Sequence, residues 1–324
     1  MPDVLTLAAS NLLSPIILSF ILGLAAALAR SDLSMPEAAA KAISLYLLFA
    51  IGFKGGASVA AYGIDGKLLA SVGAGLILSF GLPFVAFGLL RIMTRLSRID
   101  AAAVAAHYGS ISIVTFVAAS SVLETRAIPA EGFMVAVAAA MEAPAILSAL
   151  WLVARGGNAR QDPGLWREIL LNGSIVLLIG AFAIGMISGE KGLADISSFI
   201  VSPFKGVLCL FLLDMGLVAG RGLRDQRGGL GIGAVAFAVV MPLVGSMAGL
   251  ALGLLVGLST GGVAMMMVLA ASASYIAVPA AMRVALPQAN PSIYLTLSLG
   301  VTFPFNLTLG IPIYIAIATA VTGA

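Results

Sequence analysis

Apolar residues fall in ten long stretches along this chain, separated by charges or by clusters of glycine and proline. The stretches lie near 11–29, 42–62, 68–93, 101–121 and 131–154, and then near 169–188, 199–220, 229–257, 261–282 and 293–321. Each approaches or exceeds the ~20 residues that an α-helix needs to cross a bilayer. Strands of a membrane barrel alternate in polarity, and these runs do not. Backbone groups in lipid must be paired within the segment or around a closed barrel, so the pattern predicts an all-α protein of ten transmembrane helices. The longest connection, 155–168 (RGGNARQDPGLWRE), reads as a hinge between two halves, 1–154 and 169–324.

Composition narrows the class. With 61% hydrophobic and 10% charged residues, the 324-residue chain lacks the polar shell of a soluble enzyme or a nucleic-acid binder. The net charge of +3 is an ordinary excess for loops facing the cytoplasm. Counted by side, twelve Lys and Arg fall on one set of loops and five on the other, which predicts both termini outside and 155–168 inside. Arg30 is the first basic residue, so the first run reads as a mature helix without a signal-peptide cleavage. The single cysteine, Cys209, lies in an apolar run and reads as an inert packed thiol.

The two halves repeat. At an offset of 164, LLFAIGFKGG (47–56) falls on FLLDMGLVAG (211–220), and AHYGSISIV (106–114) on AASASYIAV (270–278). Phe20 and Gly23 match Phe182 and Gly185, and Pro83 matches Pro242, at slightly different offsets. Five spans per half is an odd number, so the second copy is predicted to run upside down. Inverted repeats of this kind characterise secondary transporters that bind substrate near the midplane, where broken helices meet.

Spans four and nine carry polar interruptions at corresponding places. Span four reads AAHYGSISIVTF, with Tyr108, Gly109, Ser110, Ile111, Ser112 and Thr115; span nine reads LAASASYIAVPAAMR, with Ser272, Ala273, Ser274 and Tyr275 before Pro279. A break that lines a cavity exposes the N–H groups and the positive dipole end of the half-helix beyond it. Two such ends facing each other predict a site for a small anion without a buried Lys or Arg. The plainer alternative is that small residues and serines let helices pack closely.

Glu142 lies within span five, followed by Pro144, and a carboxylate at that depth costs roughly 2.5–3.5 kcal/mol unless it is partnered. Its counterpart at the same offset is Asn306, beside Pro304 and near Thr302. Oxygen ligands of this kind suit a hard cation, so Glu142 and Asn306, with Thr302 and Thr115, are the candidate sodium ligands. Glu142 as a proton carrier or as a structural hydrogen-bonding group is the alternative. Asp214 lies in span seven outside the predicted site, and His107, the only histidine, reads as a packing residue.

No protease constellation fits. His107 and Ser110 share one short stretch, there is no HExxH or G-x-S-x-G, and Asp214 is the only aspartate within a span.

At spans four, five, nine and ten the sequence resembles the SbtA-type sodium-dependent bicarbonate transporters. The carrying residues are YGSISIVTFVAA (108–119), MEAP (141–144), ASASYIAVPAAMR (271–283), ALPQANPS (285–292) and TFPFN (302–306). The resemblance implies a gate domain of spans 1, 2, 6 and 7 and a core domain of spans 3–5 and 8–10. It also implies a homotrimer in the bacterial inner membrane, surrounded by lipid, with bicarbonate at the crossing of spans four and nine and an elevator-like movement of the core. Cyanobacterial members have a long connection between the halves and answer to a PII-like regulator, whereas this connection is 14 residues. In the span-nine motif the resemblance places an acidic residue where this chain has Tyr275. The expected function is sodium-coupled import of bicarbonate. A sodium- or proton-coupled carrier of another small anion, such as a short monocarboxylate, is the alternative, and an electrodiffusive channel is a weaker one.

Overall fold

The structure is a computed structural model and describes residues 13–63, 65–142, 144–154, 173–225, 230–275, 278–279, 282 and 286–323. The predicted hinge 155–168 lies outside the described residues, as do the first twelve residues, Arg283 and parts of the span-nine motif beyond Tyr275. Among the described residues all regular structure is helical. The helices are α1 (Pro15–Leu28), α2 (Glu37–Tyr62), α3 (Gly66–Met93), α4 (Arg98–His107), α5 (Ile113–Thr125), α6 (Met134–Ala140) and α7 (Pro144–Ala154). After the undescribed connection come α8 (Gly173–Ile200), α9 (Phe204–Asp225), α10 (Ile232–Val256), α11 (Thr260–Ala271) and α12 (Pro291–Thr322).

Five of these helices contain stretches long and apolar enough to cross a membrane: Glu37–Ala61, Gly66–Met93, Phe204–Arg224, Ile232–Val256 and Pro291–Thr322. The apolar segments Pro15–Leu28, Ile113–Thr125, Met134–Ala149 and Thr260–Ala271 are shorter. The shortness of α5 and α11 has a local cause: each is one half of an apolar run that small polar residues interrupt. Side-chain caps mark the interruptions and entries, with Ser112, Ser259 and Asp65 accepting from the backbone N–H groups of Thr115, Gly262 and Leu68. α8 continues through a kink at Gly189, whose φ of 62° a residue with a side chain rarely adopts.

The long helices pack through glycines in a reciprocal pattern. A Cβ at Gly23 in α1 would overlap the Leu213 carbonyl oxygen of α9, and one at Gly216 in α9 would overlap the Phe20 carbonyl of α1. α2 and α8 repeat the arrangement, with Gly56 against the Phe182 carbonyl and Gly185 against the Phe53 carbonyl. Backbone-to-backbone approach of this kind lets helices associate where lipid removes any hydrophobic drive between them. The pairing relates Gly23 to Gly185 at an offset of 162 and Gly56 to Gly216 at 160. The best sequence alignment of that segment, at 164, pairs Gly52 with Gly216 instead, because glycines four residues apart satisfy either register.

α10 bears on α11 by the same device, with Gly245 against the Ala270 carbonyl and Gly249 against that of Met266. The short helices α4, α5 and α11 are almost wholly buried, so the interrupted elements sit at the centre and the long α3 and α10 flank them. α12 is not a regular helix. Two π-helical segments, Thr296–Thr302 and Asn306–Gly310, flank Phe303–Phe305, and the missing N–H of Pro304 falls between them.

Candidate functional site

Span four breaks at Tyr108–Ser112 and span nine at Ser272–Tyr275, the two places at which the sequence predicts interruption. The breaks meet. The Ser112 backbone N–H donates to Ser272 Oγ at 3.0 Å, and the Ser274 backbone N–H donates to the His107 carbonyl at 2.8 Å. The last carbonyls of α4 and the first N–H groups of α5 have no partners within their own helices. Each break therefore supplies groups that the other needs. Ser272 Oγ also donates to the Leu269 carbonyl at 2.9 Å, which leaves its lone pairs to receive Ser112.

All nine residues predicted to bind substrate, Tyr108 to Ser112 and Ser272 to Tyr275, lie in these breaks. Each is buried. Gly109 is required by packing, since a Cβ there would meet Pro83 and the Ser79 carbonyl of α3. The Tyr275 hydroxyl is buried and faces the Ser112 hydroxyl without reaching hydrogen-bond geometry.

The four predicted sodium ligands do not bond directly to one another; each braces a break. Glu142, only 8% exposed, accepts at Oε2 from the Ser110 hydroxyl at 3.0 Å. The Thr115 hydroxyl donates to Ser112 Oγ at 2.9 Å. Thr302 Oγ1 donates to the Ala238 carbonyl at 2.6 Å, so the hydroxyl of Tyr108, 2.7 Å away, is the donor in their contact. Asn306 Nδ2 donates to the Ala271 carbonyl at 2.9 Å, at the end of α11, while its Oδ1 accepts from the Tyr314 hydroxyl at 2.9 Å. Glu142 and Asn306 thus occupy matching positions: each reaches from the following span to the break of the preceding one.

Span five is itself interrupted, at Met141–Glu142, and Ser79 Oγ donates to the buried Met141 carbonyl at 2.6 Å. Ser79 and Tyr314 belong to this set, although each stands alone in an apolar run and carries no motif that would single it out. Among the described residues no cluster of three or more His, Cys, Asp or Glu is arranged for a transition metal. The donors present are a carboxylate, hydroxyls, an amide and backbone carbonyls, a set that fits a hard monovalent or divalent cation.

A bundle of apolar helices in which two interrupted helices meet at a buried, oxygen-lined contact resembles the architecture of secondary transporters. The sequence matches the Na+-dependent bicarbonate transporter superfamily over residues 15–319, and the chain belongs to that superfamily. Among curated proteins none matches it.

Proposed function

We propose that the protein is a sodium-coupled symporter that imports a small anion, bicarbonate first. The observation that carries this reading is the crossing itself, where two broken helices cap one another and an acid and an amide at matching positions brace them. The anion would lie among Gly109, Ser110, Ser112, Ser272, Ala273 and Ser274, facing the first turn of α5, with Tyr108 and Tyr275 closing the pocket. Sodium, the cation that the superfamily's description names, would be held by Glu142 with Ser110 and Thr115 on one side, and by Asn306 with Thr302 on the other. Bound together, a monovalent anion and one sodium are electroneutral, which lowers the cost of carrying either past the apolar midplane. Coupling is then linkage: the cation orders the breaks that the anion needs.

The reciprocal glycines support a ten-helix arrangement of two inverted halves, 1–154 and 169–324. α1 on α9 and α8 on α2 are the same contact made twice. In that arrangement α1, α2, α8 and α9 form the gate domain, the remaining helices form the core, and the core moves like an elevator within a trimer. Both termini lie outside, in the plasma membrane of a bacterium. A carrier of a short monocarboxylate would use the same crossing and differ only in the pocket.

Uptake of labelled bicarbonate into proteoliposomes, under an inward sodium gradient with a potassium control, tests the reading. Sodium-dependent accumulation is expected in the wild type, and none above the potassium control in Glu142→Ala. Accumulation by folded wild-type protein that is indifferent to sodium would sink the coupling, and no accumulation would remove bicarbonate as the substrate.

A further inference from the structure

The two half-helices that meet at the crossing, α5 and α11, are joined a second time at their far ends. The segment that leaves α5 at Thr125 carries Glu131, whose Oε1 accepts the Ser259 backbone N–H at 2.8 Å and whose Oε2 accepts the Ser259 hydroxyl at 2.9 Å. Ser259 in turn caps α11, its Oγ accepting the Gly262 N–H at 3.1 Å. The fit leaves no room for side chains on α11: a Cβ at Gly262 would overlap the Glu131 carboxylate, and one at Gly261 the Pro129 carbonyl. A carboxylate at a helix N-terminus is also favoured by the helix dipole. Packing does not do this work alone, because a cavity of about 480 Å³ opens along the joint, with Pro129, Glu131, Phe116 and Met265 in its wall.

From this closure the geometry points to Glu131 as a positioning residue for the substrate site. α11 has 12 residues, is buried from Gly261 to Ala271, and spans about 18 Å from the joint to Ser272. A rod held at one end by Glu131 and at the other by the Ser112–Ser272 contact has a fixed register against α5. Released at Glu131, it slides or tilts, and the contacts at the crossing open. Glu131 touches neither break, so it acts through Ser259 and the helix. The inference rests on the crossing being the binding site, as proposed above, only for its effect on transport.

Two measurements separate the inference from that reading. The first is amide hydrogen exchange of the full-length protein, followed in peptides covering 106–114 and 270–275, which contain the bonded N–H groups of Ser112 and Ser274. Glu131→Ala, Ser259→Ala and Gly262→Ala are each expected to speed exchange there at least tenfold, with α1 and α9 unchanged. Glu131→Gln, whose amide oxygen still accepts from Ser259, should retain most of the protection. The second is the KM and maximal rate of bicarbonate uptake: the same three variants should raise KM about tenfold or more with the maximal rate within about twofold. Unchanged exchange in Glu131→Ala and in Gly262→Ala overturns the positioning role, whatever the substrate proves to be. Faster exchange in protein that takes up no bicarbonate upholds the joint and overturns the substrate. If Glu131→Gln matches Glu131→Ala in exchange, charge rather than register is what counts, and the positioning role falls.

Discussion

In the proposed function Glu142 carries both the cost and the use of the site. A buried carboxylate with a single described hydroxyl donor is far from fully satisfied, and a cation is the economical way to complete it. Ser110 and Glu142 therefore act as a unit, and their effects should not add. Ser110→Ala and Glu142→Gln are each expected to weaken sodium activation of uptake by tenfold or more, and the double variant by little more than the worse of the two. Strict additivity in sodium titrations would separate them. Asn306 poses a different case, because both ends of its amide are engaged. Asn306→Ala strands the Ala271 carbonyl and the Tyr314 hydroxyl, each buried, and should lower stability by about 1–3 kcal/mol per group left unpaired in addition to any loss of sodium response. Asn306→Asp keeps the acceptor for Tyr314 but loses the donor to Ala271, so thermal melting should place it between the wild type and the alanine variant.

At the scale of elements, glycines decide which helices touch. Gly216→Ala puts a methyl group into the Phe20 carbonyl, with backbone on both sides and nothing that yields, whereas Gly81 in α3 faces open space. Gly216→Ala should destabilise by about 1–3 kcal/mol through overpacking, while Gly81→Ala should be neutral or stabilise by up to about 1 kcal/mol from helix propensity; thermal unfolding in detergent checks the pair. Much of this level was legible in the sequence. Spans four and nine break where Gly109–Ser112 and Ser272–Ser274 interrupt apolar runs, since small polar residues compete with helix hydrogen bonds and lipid tolerates no loose backbone. The register of the reciprocal glycine contacts around Gly56 was not legible, because a comparison of apolar residues with glycines every four positions is degenerate. Nor were the partners of the site residues. Nothing local to Ser112 points to Ser272, and nothing in FNLTLGIPIY announces that Tyr314 returns to Asn306. Those contacts are set by the way the spans cross, which is information held by the whole fold.

For the whole molecule the question is which groups of helices move as one. α2 meets the segment between α5 and α6 at Ser58, against which a Cβ at Gly132 would press, and Lys54 reaches Glu124 at 3.3 Å beside the same cavity. Both groups of that ion pair are substantially exposed, so it contributes little to stability, and the close contact of Ser58 with Gly132 is the firmer link. In the elevator reading this link joins the gate domain to the core and must part during transport. In the same reading α1 and α9, touching at Ala27 and Gly220, belong to one domain and need not part. A disulfide needs Cβ atoms roughly 3.5–4.5 Å apart, which small adjustments at either contact provide. In a Cys209→Ser background, Ser58→Cys with Gly132→Cys should lose uptake on oxidation and recover it on reduction. Ala27→Cys with Gly220→Cys should transport in both states. Full uptake by the oxidised Ser58–Gly132 pair, with cross-linking shown to be complete, would mean that the two groups do not slide past each other there. The crossing would then have to open by local rearrangement of α5 and α11, and transport would depend on release of the joint at Glu131 rather than on the movement of a whole core.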